Sequence, residues 1–549
     1  MSAQSDAVPE TTRKREARST EAGSTQERST AAGPTESRST EVYAIHGAEP
    51  EVQAYAMAKY SRSALSLKES LAEISTQKAE KFLNTFYFQY GHRSIADLAH
   101  IAMAVERLSL LAAIVLEDEQ RWDGQERSTR YQDFSHPDYY VPEFATGGAG
   151  TSAEQEYRKT IDFLFSEYRF FSERMFEHLC AQTPRPAEMK EDAYQRTLRA
   201  RAFDIARYLL PLATNTSLGQ IVNARTLETQ ISRLLASRYG EVRTLGRKLK
   251  EAAKSAAYNV HGKAYAALFQ EMQDRDPDWA ERHRDLLLRD VKVSPTLVKY
   301  ADPNGYLAET QEELERAAEQ IMAGAKVEAA PEVDLLDDDP IEIELAASLL
   351  YENCHYPYRQ IRERVHSITA KQRDEIVALG AKRRGPHDEL LRAYCSGQRF
   401  RFDILMDIGG FRDLHRHRRC VQLHQGFTAL HGYDTPADIV AAGAGDRYDA
   451  AMSRAREAVG QIAAMASAQA SEQNDSAYLL PLAFRKRTLF KMDLAEVVYI
   501  TELRTTPAGH FSYRNIAYKM YEAVAARHPS LAKFFRVHDV REPVDLLKR

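Results

Sequence analysis

The hexapeptide YLLPLA stands twice in this chain, at Tyr208–Ala213 and again, letter for letter, at Tyr478–Ala483. A six-residue apolar identity on its own could arise by chance. A second match precedes it in the same order: EVQAYAMAKY (Glu51–Tyr60) resembles EIELAASLLY (Glu342–Tyr351), each shortly after a proline. Two matches in one order indicate a domain of roughly 210 to 250 residues that is present twice. The copies lie roughly 270 to 300 residues apart, far beyond the period of about 20 to 50 that marks a solenoid.

The expected organisation follows. Residues 1–40 repeat a Ser/Thr/Arg/Glu theme (RSTEAG, RSTAAG, SRSTEV) with almost no large apolar side chains, so they cannot bury enough surface to offset chain entropy. They read as a disordered low-complexity tail, and their glutamates argue against a transit peptide. A first domain over 41–300 and a second over 336–549 flank a charged linker, 301–335. Each copy reads as α+β and helix-rich. Helices are expected at about 51–60, about 66–90 and along Ser94–Leu116, where apolar residues recur at helical spacing. Strands are expected at VYAIH (42–46), at VDLL (333–336) and near the basic cluster described next.

FRDLHRHRRCVQ, Phe411–Gln422, carries Arg412, Arg416, Arg418, Arg419, His415 and His417 within eight residues, in a chain of 549 residues whose formal net charge is −5. Such a run is most often a solvated face. Here it follows FRFDILMDIGGF, an apolar stretch that belongs in a core, which makes a local anion site the better reading. The net charge gives no general pull towards nucleic acid. No apolar run approaches the roughly 20 residues of a membrane span, and the start has no apolar segment of a secretory signal. Four scattered cysteines without a CxxC pair argue against a zinc ribbon or disulfide framework and fit a reducing cytoplasm.

The motifs divide between the copies. The first has GHRS with His92 and Ser94, then GQERSTRY with Glu126, Arg127, Ser128, Thr129, Arg130 and Tyr131. It also has Arg207 before a Leu-Leu-Pro, and Asn223, Ala224 and Arg225 sixteen residues later. The second has Arg416-His417-Arg418 and Leu503-Arg504. What each copy holds the other lacks. Eight residues before Glu126 stands Asp118-Glu119-Gln120, and eight after Arg416 stands His424, followed by Gly426, Thr428 and Ala429. Ala477 takes the place of Arg207, Asp493, Leu494 and Ala495 that of the Asn-Ala-Arg, and GPHDE that of GHRS. The first copy keeps Leu234, with Arg233 one place early.

Taken together these motifs resemble those of flavin-dependent thymidylate synthases, and the chain looks like two such domains fused over most of 41–549. The resemblance implies reductive methylation of dUMP to dTMP with bound FAD, and with NADPH and methylenetetrahydrofolate as co-substrates. Family sites form between subunits from two half-signatures, which here would make one composite site from the two copies. The family works as a tetramer of single domains, so the expected assembly is a homodimer, a pseudo-tetramer of domains. Its small-molecule partner is dUMP, with no nucleic acid and no membrane.

The same resemblance assigns roles. Arg504 would be catalytic. Glu126, Arg127, Ser128, Thr129, Arg130, Arg207, Asp413 and Arg416 would bind substrate. Ser94, Glu126, Asn223, Ala224, Arg225, Thr229, Arg416, His417 and Arg418 would bind FAD. Asp413 replaces a family glutamine and Thr229 a family Asn or His, which keeps open a related flavoprotein acting on another pyrimidine nucleotide. A non-catalytic nucleotide- or RNA-binding protein is the other alternative. The plain structural readings are a helix cap for Asn223 and surface charges for Arg225 and Arg207. The left-over pairing would bring Asp118 and Glu119 to His424 and Ala477, with anions where a flavin needs cations.

Overall fold

A computed structural model of the chain describes residues 47–58, 70–71, 93–142, 152–386, 388–465 and 475–547. The expected tail 1–40, the strand at 42–46, nearly all of the helix at 66–90 and His92 lie outside the described residues.

The two YLLPLA segments pair with each other. Leu212 N–H donates to the Leu480 carbonyl (2.9 Å) and Leu482 N–H to Leu210 (2.9 Å), with Ala213 to Tyr478 and Ala483 to Tyr208 beyond them. Pro211 faces Pro481 across this antiparallel bridge. The proline pair sits where neither residue is asked for an N–H, so the missing donor costs nothing. Buried backbone must be hydrogen-bonded, and a repeated segment placed beside its own copy supplies matching donors and acceptors.

Each copy holds a small antiparallel sheet. In the first, β1 (His100–Ser109), β2 (Asp123–Glu126) and β3 (Asn215–Asn223) stand in the order β1-β3-β2. In the second, β4 (Val333–Leu335), β5 (Phe400–Asp407), β6 (Val421–His424) and β7 (Arg485–Met492) stand in the order β4-β5-β7-β6. A short helix follows β1 (Leu110–Glu117) and β5 (Ile408–Leu414), and a longer one follows β3 (Ala224–Leu235) and β7 (Leu494–Arg504). Side-chain caps start all four, from Ser109, Asp407, Asn223 and Asp493. A cap oxygen takes an N–H that the first helical turn leaves unpaired.

The single helix expected over Ser94–Leu116 is corrected: its middle is β1. The register slips between Glu106 and Leu108 at Arg107, which has φ of +59°, so a β-bulge interrupts the pairing with β3. Its buried apolar residues are Ile101, Val105 and Leu108, with Met103 half-buried between the first two. That spacing of four and then three is the spacing of a helix face, produced here by a strand with a bulge.

One hydrophobic cluster runs through both copies, from Leu111, Phe165 and Leu212 to Phe411, Tyr448 and Leu482. The long helices Ser152–Gln182 and Gly445–Met465 meet there, Phe171 edge-on to Tyr448. The stretch expected as a linker contains the helix Gly305–Ile321, whose Leu314 and Ala318 join a second cluster with Ile343 and Leu350. No helix among the described residues is long and apolar enough to cross a membrane.

Candidate functional site

β2 ends on Glu126 and carries its carboxylate into the interior. There it meets the second copy. Arg412, on the helix after β5, reaches Glu126 at 2.6 Å and donates to the Thr129 hydroxyl at 3.1 Å. Arg416, just beyond that helix, stands 3.8 Å from the same carboxylate. Arg207 is only 2% exposed and lies between Asp204 (3.4 Å) and the second copy's Asp413 (3.6 Å). Arg130 grips both Asp204 oxygens (2.9 and 3.1 Å) and donates to the Tyr513 hydroxyl and the Ala508 carbonyl. Half-signatures that the sequence holds hundreds of residues apart thus form one ion-pair network within one chain.

Burial and the neighbouring Glu126 push the Glu117 carboxyl up to about 7, against the pull of Arg416, Arg412 and Arg418. Burial pushes Asp204 the same way, but His510, Arg207 and Arg130 around it hold its carboxyl well below the usual range. His510, 3.0 Å from Asp204, is itself driven down to about 4 by burial, so at neutral pH the guanidiniums carry the positive charge.

Arg504 closes the helix after β7. Its Nε donates to His417 Nε2 at 2.8 Å. A ring nitrogen that accepts there must be unprotonated, so His417 carries its hydrogen on Nδ1, which faces Glu496 at 3.6 Å. Burial agrees, keeping His417 below the ordinary imidazole value. Arg418 lies over the Trp122 ring at 4.4 Å and donates to the Trp122 carbonyl.

Asn223, Ala224 and Arg225 lie at the far end of β3, away from Glu126. Asn223 is a helix cap, accepting from Thr226 N–H at 2.8 Å, and Ala224 is buried behind it. Arg225 pairs with Asp97 at 2.6 Å, in the short 3-10 helix Arg93–Leu98 that also carries exposed Ser94. Ser128 accepts from Arg130 N–H. Arg127 and Thr229 are also engaged apart from the network. Arg127 turns to Gln132 and lies over Phe134, and the Thr229 hydroxyl bonds back to its own helix.

Sequence reasoning counted Arg412 in the basic run but gave it no role, and left Asp204, Glu117, His510 and Tyr513 out of the site. Helical spacing offered a signal for two of them: Arg412 is one turn before Arg416, and Asp204 three residues before Arg207.

The chemistry of the donor set suits phosphate-bearing ligands. Nε and Nη2 of Arg207, and Nε of Arg412, Arg418 and Arg225, are buried without a hydrogen-bond partner. Buried donors without acceptors are costly, and the planar guanidinium fork matches phosphate oxygens. The residues present fit FAD and a nucleotide monophosphate.

The pseudo-equivalent place, built from the opposite halves, differs. Asp118 and His424 do meet, His424 Nε2 lying 3.6 Å from Asp118 Oδ1. The anions expected there each have a cationic partner: Asp118 is paired with Arg392, and Glu119 with Arg233 at 2.7 Å. A cavity of about 790 Å³ opens beside His424, lined also by Ala477, Thr428, Tyr239, His355 and Lys486. Burial lowers Lys486 to about 7.

An α+β chain written twice, with guanidiniums from both copies gathered on one network, defines the class. The chain belongs to the thymidylate synthase complementing protein family, Thy1, whose pattern matches residues 43–257 and 338–530. A UPF0159 protein of Chlamydia pneumoniae is 28% identical over 92% of this chain and 93% of its own length. A flavin-dependent thymidylate synthase of Clostridium tetani is 24% identical over 38% of this chain and 80% of its own. Thymidylate synthase X of Helicobacter pylori, solved with FAD and dUMP, aligns with 37% of this chain and 88% of its own at 16% identity, with a TM-score of 0.22.

Proposed function

We propose that the chain is a flavin-dependent thymidylate synthase that methylates dUMP to dTMP at one composite site per chain. The observation that carries this reading is the meeting of first-copy Glu126, Thr129 and Arg207 with second-copy Arg412, Asp413 and Arg416. Family membership supports the reaction class.

Bound FAD would supply hydride chemistry, with NADPH as reductant and methylenetetrahydrofolate as carbon donor. The protein's part is placement and charge. Arg207 and Arg130 take the dUMP phosphate, exchanging the Asp204 carboxylate for phosphate oxygens, with the Ser128 and Thr129 segment beside them. Arg416, His417 and Arg418, with Ser94, Asn223, Ala224 and Arg225, would hold the flavin and its phosphates. Arg504 swings from His417 to the uracil carbonyl edge, where a fixed cation favours the ring as it gains negative charge and makes C5 the nucleophile. Two chains pair as a homodimer with one FAD each.

The test is the visible spectrum of the purified chain, its flavin content, and dTMP formation from dUMP, NADPH and methylenetetrahydrofolate. The reading requires one FAD per chain and product. Two flavins per chain sink the composite site. A yellow protein inert on dUMP but active on another pyrimidine nucleotide favours the related-flavoprotein reading, which the Asp413 carboxylate beside Arg207 supports. A colourless protein whose RNA binding falls steeply with salt marks a non-catalytic phosphate patch.

A further inference from the structure

Where the composite site has Glu126 against arginines, its pseudo-equivalent has His424 against Asp118, with His415 beside them. The ligating atoms of Asp118, His415 and His424 all lie within 4.8 Å of one another. His415 is 5% exposed. Its tautomer is settled by Gln422, whose amide NH2 donates to the His417 carbonyl at 2.7 Å, which turns the amide oxygen to His415 Nδ1 at 2.9 Å. Nδ1 therefore bears the hydrogen and Nε2 a lone pair. That Nε2 is buried and has no hydrogen-bond partner, and neither has Nε2 of His424. The other nitrogen of His424 faces the Thr488 hydroxyl at 3.5 Å.

Two imidazoles whose outer nitrogens are held by polar neighbours and whose inner nitrogens are unpartnered are arranged as metal ligands are. The 3.6 Å between His424 Nε2 and Asp118 Oδ1 is too long for a hydrogen bond. It is close to the roughly 3.3 Å between two ligands about 2.0 to 2.1 Å from a tetrahedral zinc. Arg392 donates to that same Asp118 Oδ1 and to the Asp118 carbonyl, which fixes the carboxylate beside the two imidazoles. A cavity of about 20 Å³ lined by Asp118, His415 and Gln422 adjoins the group; it has room for roughly one water-sized sphere. Cys420 lines it too, but burial pushes its thiol up to about 12, and its Sγ–H bonds the His417 carbonyl.

We propose that Asp118, His415 and His424 bind one divalent transition-metal ion of borderline softness, such as Zn²⁺, which cross-links the first copy to the second. Imidazole with carboxylate is the donor set that such ions take. The place that lost the nucleotide arginines has on this reading become a structural metal site. The inference stands on these three residues and not on the proposed synthase activity.

The experiment uses the full chain, freed of metal by chelator, titrated with Co²⁺ alone and then with Zn²⁺. One Co²⁺ per chain is expected, with visible absorption that Zn²⁺ abolishes and a Tm that rises on binding and falls again with EDTA. Gln422→Leu should weaken uptake about 10-fold, and His415→Gln or His424→Gln by roughly 100-fold or more. A wild-type chain that is folded by circular dichroism yet takes up neither metal overturns the proposal. So do folded histidine variants that bind as tightly as wild type. Flavin content and dTMP formation enter neither arm.

Discussion

The two pseudo-equivalent places are framed by the same backbone and filled with opposite chemistry. β2 delivers Glu126 and β6 delivers His424. The turn after one short helix carries Asp118–Gln120 and after the other Arg416–Arg418, and Arg207 answers to Ala477. Even the caps trade partners: Ser109 bonds Glu241 (2.6 Å), whereas Asp407 bonds Ser512. Every carboxylate in these exchanges has kept a donor, because a buried charge without one is expensive. The duplicated frame dictates where side chains point, and local charge balance dictates which sets can coexist. The arginine-rich place is drawn together by ion pairs, while a cavity of about 790 Å³ opens beside His424 of its counterpart.

The sharpest way to break this comparison is to substitute matched positions. Arg207→Ala and Arg416→Ala lie in different copies, yet each should lower kcat/KM by about 100-fold or more, as removal of a buried charge partner typically does. Thr428→Ala, at the counterpart of Arg130, and Glu119→Gln should stay within about twofold. If each arginine variant keeps about half the activity, the chain has two independent sites and the asymmetry is illusory.

A smaller effect tests the shared frame. Leu210 and Leu480 occupy equivalent positions of the paired YLLPLA segments and are both fully buried. Leu210→Ala and Leu480→Ala should each cost about 2–5 kcal/mol, and each should lower one common calorimetric transition. Two separate transitions, with each variant moving only one, would show that the copies unfold independently.

The smallest concerns the caps. Burial, with Asp434 adding to it, raises the Asp407 carboxyl from 3.8 to about 6. A raised carboxyl favours the fold below the unfolded value, and that contribution is lost as pH climbs through the folded value. Asp407→Asn keeps a side-chain oxygen for the Gly410 N–H and removes the buried charge. Its stability relative to wild type should therefore improve between pH 4 and pH 8, by at most about 3 kcal/mol. Urea titrations at the two ends check it, and a gain independent of pH would show that Asp407 does not titrate there. The serine cap Ser109 does not itself titrate, although its partner Glu241 is also raised by burial.

Duplication, the two half-signatures and the caps could be read along the chain, because each is a local pattern of a few residues or an identity between two stretches. Asn223 and Asp493 start their helices by the same short-range rule that made the cap a plain reading of Asn223. β1 could not be read so, since the bulge at Arg107 spaces its buried residues as a helix would. Nor could the neutralisation of Asp118, whose partner Arg392 is 274 residues away, or the Arg412 contact with Thr129 across 283. Composition and spacing record which charges a chain owns. Which of them share a low-dielectric interior, and so must balance, depends on contacts between distant residues that exist only once the two copies have folded against each other.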